Sequence, residues 1–453
     1  MDNQFRGKKV LVLGAGVSGI SVARILNRLG AIVTLSDSKP AEEINKDFSA
    51  LASAGISLAL GAQDETLLAD LNYLILSPGI SIYIPLVKAA QERGIAVCSE
   101  IEVAYRLSRV PIIAITGTNG KTTTTTLVGE MLKKTERPVV VGGNIGAALS
   151  EQVLDIAENS LVVAEISSFQ MEGAAYFRPH IAAILNLTPD HLDRHHTIEI
   201  YQKMKERIFS QQQAEDYTIL NYDDPIVRDM AVRVPGQAVY FSRKQRLSSG
   251  IFVQDDTIRI SWQGNILDVC KIEEIKIKGA HNIENALAAC GVCYFSGVKP
   301  EDMAQVLKSF PGVEHRIEPV GIINGVSYYN DSKATNPESA MKALEAFPGH
   351  IILIAGGKDK NTDLTEFMKL VKERVDYLIL LGEAKDRFAS EAIKNGISNI
   401  YRINTFEDSV ILAHKLSEPP QVVLLSPACA SYDMFNNYEE RGRIFKDLVH
   451  RLG

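Results

Sequence analysis

Cysteine is scarce in this 453-residue chain: five residues, Cys98, Cys270, Cys290, Cys293 and Cys429. An odd, scattered set makes a poor disulfide framework and fits a reducing compartment. Cys290 and Cys293 form a CxxC without a second pair, inside an Ala-rich helical run at 285–294, so buried thiols are expected there rather than zinc ligands. Long apolar runs are absent too, and nothing approaches the ~18 residues of a membrane span. The opening stretch MDNQFRGKKVLVLG breaks at once into glycines, so it reads as a first strand and not as a signal segment. A soluble, cytoplasmic chain with no membrane partner is the expectation. Positive charge is also short. The net charge of −7, with no basic stripe to offset it, argues against nucleic acid as a partner.

What the chain does have is length and alternation. At roughly 150 residues per domain, it predicts about three domains, each long enough to bury a core without metal or disulfide staples. Strands at 10–13, 32–35 and 73–76 alternate with helices at 18–29 and 85–93, which predicts a parallel sheet covered on its faces. A polar helix running into Val110-Pro111 marks a first boundary, and Pro311-Gly312 a second. The predicted domains are therefore 1–105, 106–312 and 313–453. The central one restarts the pattern with strands at 112–115, 161–164 and 181–185. A turn-rich β excursion at 238–277 follows, and then a helix from His281. Buried-strand runs at 351–354, 377–381 and 422–425 form the third. The fold class is α/β.

Two glycine loops set the chemistry. Gly14-Ala15-Gly16-Val17-Ser18-Gly19 follows a strand and opens a helix, and Asp37 lies near the end of the next strand, where a ribose-binding acid is expected. Taken alone, this points to the dinucleotide domain of a dehydrogenase. Any diphosphate satisfies the same physics, however, and so does an empty turn that merely packs helix on sheet. The second loop, Thr116-Gly117-Thr118-Asn119-Gly120-Lys121-Thr122, sits between a strand and a helix. Its backbone N–H groups can form an anion nest, with Lys121 on β/γ-phosphates and the Thr122 hydroxyl on Mg²⁺. Isoleucine at 115 replaces the first glycine of GxxxxGK[ST], which weakens a plain Walker reading but leaves its strand–turn–GKT–helix context.

Glu165 follows an apolar strand, at the sheet edge where ligands bind in α/β proteins, and is a candidate Mg²⁺ ligand beside the second loop. His191, His195 and His196 invite a zinc reading, but no matching ligand spacing is clear elsewhere. Mg²⁺ could still accept one imidazole beside phosphate oxygens.

The segments GTNGKTTT (117–124), GGNIG (142–146), EISSFQ (165–170), LNLTPDHLDRH (185–195), YQKMKERI (201–208) and GAHNIEN (279–285) fall in the order seen in Mur ligases. So do EHRIE (314–318), NDSKATNP (330–337), AGGKDK (355–360) and LLSPACASYDMFNNYEERG (424–442). The chain resembles that family over essentially its whole length. Within the family, DSKATN and SPACASxDxF look like the segments of members that add D-glutamate.

The resemblance implies three domains: an N-terminal Rossmann-like domain for the UDP of UDP-N-acetylmuramoyl-L-alanine, a central P-loop ATPase-like parallel sheet for ATP, and a C-terminal Rossmann-like domain for D-glutamate. It implies a monomer that activates the L-alanine carboxylate as an acyl phosphate for amine attack, a cytoplasmic step of peptidoglycan synthesis. By position, Val17, Ser18, Asp37, Ser38 and Gly79 would contact the uridine diphosphate, and Asn144 and His191 the rest of that substrate. Gly117, Thr118, Asn119, Gly120, Lys121, Thr122 and Thr123 would hold the phosphates, Asn282 and Asn285 would face adenine, and Arg316 and Asp331 would complete the ATP site. Of two Mg²⁺ ions, Thr122 and Glu165 would hold one, and His191 with a carbamylated Lys205 the other. Lys333, Thr335, Lys358, Ser426 and Phe435 would meet the acyl group and D-glutamate. The residues alone favour a solvated helix lysine at 205, so its carbamate role rests on the resemblance.

Other readings leave parts of the chain idle. A nicotinamide dehydrogenase, which would require NAD, does not use the second loop, Glu165 or the HNIEN helix. A mechanical P-loop ATPase gives the DSKATN and SPACAS segments no task, and the N-terminal Rossmann-like unit counts against a folylpolyglutamate-type ligase.

Overall fold

The computed structural model describes residues 4–44, 47–61, 63–145 and 147–452, without the side chain of Asp193. Gly146 of the GGNIG segment, that side chain and the first three residues of the opening stretch lie outside the described set. The chain packs as two compact units: one runs up to Ile275 and takes in Ile283–Ser309, and the other combines Lys276–Asn282 with Phe310 onward. Among the described residues no helix is long and apolar enough to cross a membrane.

The first unit contains two sheets. Strands β1 (Lys9–Leu13), β2 (Ile32–Asp37), β3 (Ser57–Leu60), β4 (Tyr73–Leu76) and β5 (Ala96–Ser99) align in the order β3-β2-β1-β4-β5. Every pairing in this sheet is parallel. Strands β1 and β4 are buried almost throughout, which is why their sequences read as unbroken apolar runs. The edge strand β3, Ser-Leu-Ala-Leu, is exposed or half-buried at every position and gives no such signal.

The second sheet has nine strands: β6 (Ile112–Thr116), β7 (Val139–Gly143), β8 (Leu161–Glu165), β9 (Ile181–Ile184), β10 (Tyr217–Asn221), β11 (Gln237–Ser242), β12 (Gly250–Gln254), β13 (Thr257–Trp262) and β14 (Asn265–Lys271). Their order is β14-β13-β12-β11-β10-β9-β6-β8-β7. The β excursion expected from the turn residues continues this sheet. Strand β12 pairs parallel with β11, and β13 and β14 continue the sheet antiparallel.

The predicted polar helix before Val110 forms at Glu100–Leu107, but it is not a solvated linker. Glu100 and Glu102 are buried. Glu100 accepts from the Ser150 backbone N–H at 2.7 Å, and Glu102 pairs with Arg106 at 2.8 Å and accepts from Tyr176 N at 3.0 Å. The helix thus seats the first sheet against the second, and its acidic residues satisfy backbone donors in that seam.

The second unit is built on β15 (Glu318–Ile323), β16 (Val326–Asn330), β17 (Ile351–Gly356), β18 (Val375–Leu381), β19 (Ile400–Arg402) and β20 (Val422–Leu425), in the order β15-β16-β20-β17-β18-β19. Only β15 runs antiparallel to its neighbour. Cys290 and Cys293 lie fully buried on the helix Ala280–Phe295, their thiols pushed up by burial, as expected for structural thiols.

Candidate active site

The first glycine loop lies where the chain leaves β1 toward β2 and later returns at β4, the switch point at which open α/β sheets form a crevice. A cleft of about 540 Å³ opens there, with Gly16, Val17, Ser18 and Asp37 on one wall, Ser77 and Gly79 on another, and Asn144 and Gln170 from the second sheet. Val17, Ser18, Asp37, Gly79 and Asn144 therefore converge on one cleft. Ser38 is exposed, and neither it nor His191 is among the lining residues. Asp37 spans the loop, accepting from Ala15 N at 2.8 Å and from Lys39 N at 3.0 Å. A side chain at Gly19 would run into the Gly14 carbonyl and the Ser77 hydroxyl, so that glycine is fixed by close packing. Ser77 was legible only as part of the Ser-Pro-Gly stop after a buried strand.

The second loop leaves β6 and turns into the helix Lys121–Leu132 through Gly120, at φ 83°, a conformation that favours glycine. Two of its amides are already engaged: Thr118 N donates to Asn186 O at 3.0 Å, and Asn119 N to Asn186 Oδ1 at 2.8 Å. Asn186, unmarked by the sequence reading although it lies in the LNLTPDH segment, thereby holds the loop in shape. The Lys121 ammonium donates to the carbonyls of Gly117 (2.9 Å) and Thr118 (2.7 Å). Asn285 is turned onto the loop, its Oδ1 3.3 Å from Thr124 Oγ1 and in the space a Gly120 side chain would need. The structure thus places it at the phosphate turn, whereas Asn282 donates to Lys278 O at 2.8 Å.

Glu165 ends β8 beside this loop, in register with Ile115. It is 2% exposed. One carboxylate oxygen accepts from Asn144 Nδ2 at 3.0 Å, and the other has no hydrogen-bond partner among the described residues. A buried carboxylate oxygen without a donor is the kind of group a cation satisfies, so the residues fit Mg²⁺.

Lys205 corrects the residue-level expectation of a solvated side chain. It is 1% exposed. Thr197 caps the helix Ile198–Glu206, which buries Tyr201 and Lys205, four residues apart, against the loop. The Lys205 amine donates to Gly117 O at 2.8 Å, and the Tyr201 hydroxyl is 3.3 Å from Thr118 Oγ1. Burial, reinforced by the charge on Lys121, pushes the Lys205 amine well below its ordinary range. The three clustered histidines diverge: His191 meets the Phe169 ring edge-on, His195 Nε2 is 2.9 Å from Ser168 Oγ, and His196 packs on Tyr83.

In the second unit the loops after β16, β20 and β17 gather around Arg441, the largest fully buried side chain. Its guanidinium donates to Ser332 Oγ (2.9 Å) and O (2.7 Å) and to the carbonyls of Cys429 and Ala430. Burial pushes it down to about 10. It ties the NDSKATN and SPACAS segments together, although only its place in YEERG marked it. Lys333 lies 5.3 Å over the Tyr438 ring, and the Thr335 amide donates to Lys333 O at 2.9 Å. Lys358 pairs with Glu383 at 2.6 Å. Two residues expected at the amino-acid site have partners within the fold. The Ser426 hydroxyl donates to Asp331 at 2.8 Å, and Phe435 packs edge-on against Phe406 on the hydrophobic face of the sheet. Arg316 keeps a buried Nε with no hydrogen-bond partner among the described residues. Burial, helped by the charges of Arg316 and Lys342, holds His281 down at about 4. Glu314, His315 and Glu318 cluster like metal ligands, but Lys446 reaches both carboxylates, at 2.6 and 3.0 Å, and supplies the positive charge.

Asp331 is fully buried, and burial pushes it up to about 6 against the opposing pull of Arg316 and the Ser426 and Ile317 donors. Because the folded value lies above the ordinary 3.8, its contribution to stability is complete below that value and is lost as pH rises through about 6. Above that, keeping the charge buried costs ~3 kcal/mol. Asp331→Asn should therefore raise Tm at pH 8, with the gain shrinking toward pH 4.5. Calorimetry at the two pH values checks this; an equal Tm shift at both would refute the buried-charge account.

Comparison with known proteins places these features in a common frame. A model described as the Mur ligase middle domain matches residues 115–293, one described as the Mur ligase glutamate ligase domain matches 315–429, and a MurD-like N-terminal domain matches 8–99. The chain is 47% identical over 99% of its length, and 99% of the relative's, to a UDP-N-acetylmuramoylalanine–D-glutamate ligase of Thermoanaerobacter sp. (strain X514). It is 43% identical to a protein of that name from Pelotomaculum thermopropionicum, over 100% of this chain and 99% of that one. Among solved structures it shares a fold with a pseudomurein peptide ligase of Methanothermus fervidus (TM-score 0.60, 19% identity, covering 98% and 100% of the two chains). A UDP-N-acetylmuramate-alanine ligase of Thermotoga maritima aligns equally well (TM-score 0.60, 18% identity, 98% and 100% covered).

Proposed function

Because the chain belongs to the Mur ligase family, we propose that it is the ATP-dependent ligase that joins D-glutamate to the L-alanine carboxylate of UDP-N-acetylmuramoyl-L-alanine, releasing ADP and phosphate. The single observation that carries the reading is the end-to-end likeness to relatives of that name. The site geometry agrees with it: a cleft suited to a nucleotide-sugar opens beside Asn144, whose side chain also bonds Glu165 next to the phosphate loop. We assign the domains to residues 1–105, 106–312 and 313–453, and the enzyme to the cytoplasm as a monomer.

A carboxylate is a poor electrophile, and phosphorylation gives it a leaving group. Val17, Ser18, Asp37 and Gly79 hold the uridine diphosphate end, and Asn144 orients the chain that carries the reacting carboxylate. Lys121 offsets charge on the β/γ-phosphates. Thr122 and Glu165 would hold one Mg²⁺, and His191 and Lys205 a second; bound there, the ions would neutralise phosphate charge. Lys205 suits that role once carbamylated. Burial pushes its amine well below the ordinary range, favouring the uncharged form, whose lone pair can add to carbon dioxide with loss of one N–H proton, converting a donor into a two-oxygen anion. Lys333, Thr335 and Lys358 supply the cationic and hydroxyl donors a dicarboxylic amino acid needs. Arg316 and Asp331 would complete the ATP site.

The test is ADP release with UDP-N-acetylmuramoyl-L-alanine, ATP and Mg²⁺, with D-glutamate, L-glutamate, L-lysine or meso-diaminopimelate in separate wells and NAD as a control addition. Turnover with D-glutamate should exceed the others by about 10²-fold or more, because donors fixed for two carboxylates and an attacking amine match one chain length and one hand. L-lysine lacks the second carboxylate, meso-diaminopimelate spaces its carboxylates too far apart, and L-glutamate misplaces the amine. NAD should change nothing. Turnover with another amino acid would keep the ligase and overturn the assignment of the third domain.

A further inference from the structure

Arg194 makes four strong hydrogen bonds that chemistry at the phosphates does not call for. Its guanidinium donates to the carbonyls of Pro78 (2.9 Å) and Ile80 (2.7 Å), which flank Gly79 in the cleft, and grips both oxygens of Glu172 at 2.9 and 2.6 Å. The pair is shielded, with Arg194 12% and Glu172 2% exposed, so this is a desolvated bidentate contact and not a surface ion pair. The same guanidinium lies 4.2 Å over the Phe169 ring, and that ring meets His191 edge-on at 4.7 Å. Backbone on both sides of Arg194 is unusual: His191 has φ 54°, and His196 has φ 65° and ψ −44°, closing a tight turn in which Thr197 N donates to His195 O at 2.7 Å. Conformations of this kind are costly and persist only where the surroundings over-determine them.

Resting on the ligase reading above, we propose that Arg194 is a positioning residue that couples the nucleotide-sugar cleft to the His191 loop. A diphosphate bound against Gly79 stiffens the 78–80 carbonyls. Through Arg194 and Phe169, that holds the strained 191–196 segment with His191 presented to the phosphates. Filling the cleft thus prepares the second site before the carboxylate is activated. Lysine cannot substitute, because a single ammonium cannot span two carbonyls and a carboxylate in a planar fork.

The test follows amide hydrogen exchange in the full chain with UDP as the probe, together with steady-state kinetics, for wild type, Arg194→Lys and Arg194→Met. UDP should slow exchange at 14–19 and at 189–197 in wild type, and Arg194→Lys should keep the first protection and lose the second. Its KM for UDP-N-acetylmuramoyl-L-alanine should rise about 10-fold with a lower kcat, while KM for ATP stays within about 2-fold. If Arg194→Met does not fold, Arg194→Lys decides. Protection confined to 14–19 in wild type, an unchanged KM in Arg194→Lys, or an equal rise in both KM values would overturn the coupling. Absence of protection at 14–19 would remove the cleft assignment and the coupling with it. The expected exchange pattern without any turnover would sink the ligase reading alone.

Discussion

Lys121→Ala should reduce ADP release about 10³-fold or more while the protein stays folded and still binds its nucleotide-sugar. The size follows from electrostatics. A cation on the β/γ-phosphates acts where charge moves during transfer, and groups so placed are worth several powers of ten in rate. The sparing of the fold follows from geometry. Lys121 bonds the Gly117 and Thr118 carbonyls of its own loop, and that loop is independently held by Asn186 and by the buried start of its helix. Tm should therefore move by no more than a few degrees, and thermal stabilisation by UDP-N-acetylmuramoyl-L-alanine should survive. Near wild-type ADP release from a folded variant would remove the phosphate-loop assignment.

Lys205→Met should cost about 10²–10³-fold in turnover, and added acetate should restore part of it. Methionine fills the buried space beside Tyr201 without the nitrogen, so packing is kept while the bond to Gly117 O and the proposed carbamate oxygens are lost. Acetate can return a carboxylate to the vacated space. Lys205→Arg, a cation that cannot take up carbon dioxide, should be as inactive as methionine. Mass analysis of active, bicarbonate-supplied enzyme should find one carbon dioxide on the peptide carrying Lys205. A bare amine there, or a methionine variant close to wild type, would mean that the buried lysine serves only to brace Gly117.

Much of this was legible in the chain, for reasons that can be named. Strands β4 and β20 were read to the residue because strands covered on both faces are short apolar runs with turn residues at their ends. Strands β3 and β19 were missed because exposed edges carry mixed side chains and no period. The two glycine loops announced themselves because tight turns before helices admit few residues.

The sequence by itself determined the fold class, the two phosphate-type loops, the order of the motifs and, through resemblance, the reaction. All of these depend on residues adjacent in the chain or on patterns of short period. Only the tertiary structure decided which groups are out of water and what they face. Lys205 looks solvated in YQKMK, and it is buried because the helix bearing it lies against a loop 88 residues earlier. Ser426 and Phe435 are marked only by their motif, and it is the fold that sets one against Asp331 and the other against Phe406. Arg194 sits among three histidines in sequence, and its partners lie 22, 114 and 116 residues away. Burial and long-range pairing depend on distances the chain sets only when it folds, and that is where the roles of these side chains were fixed.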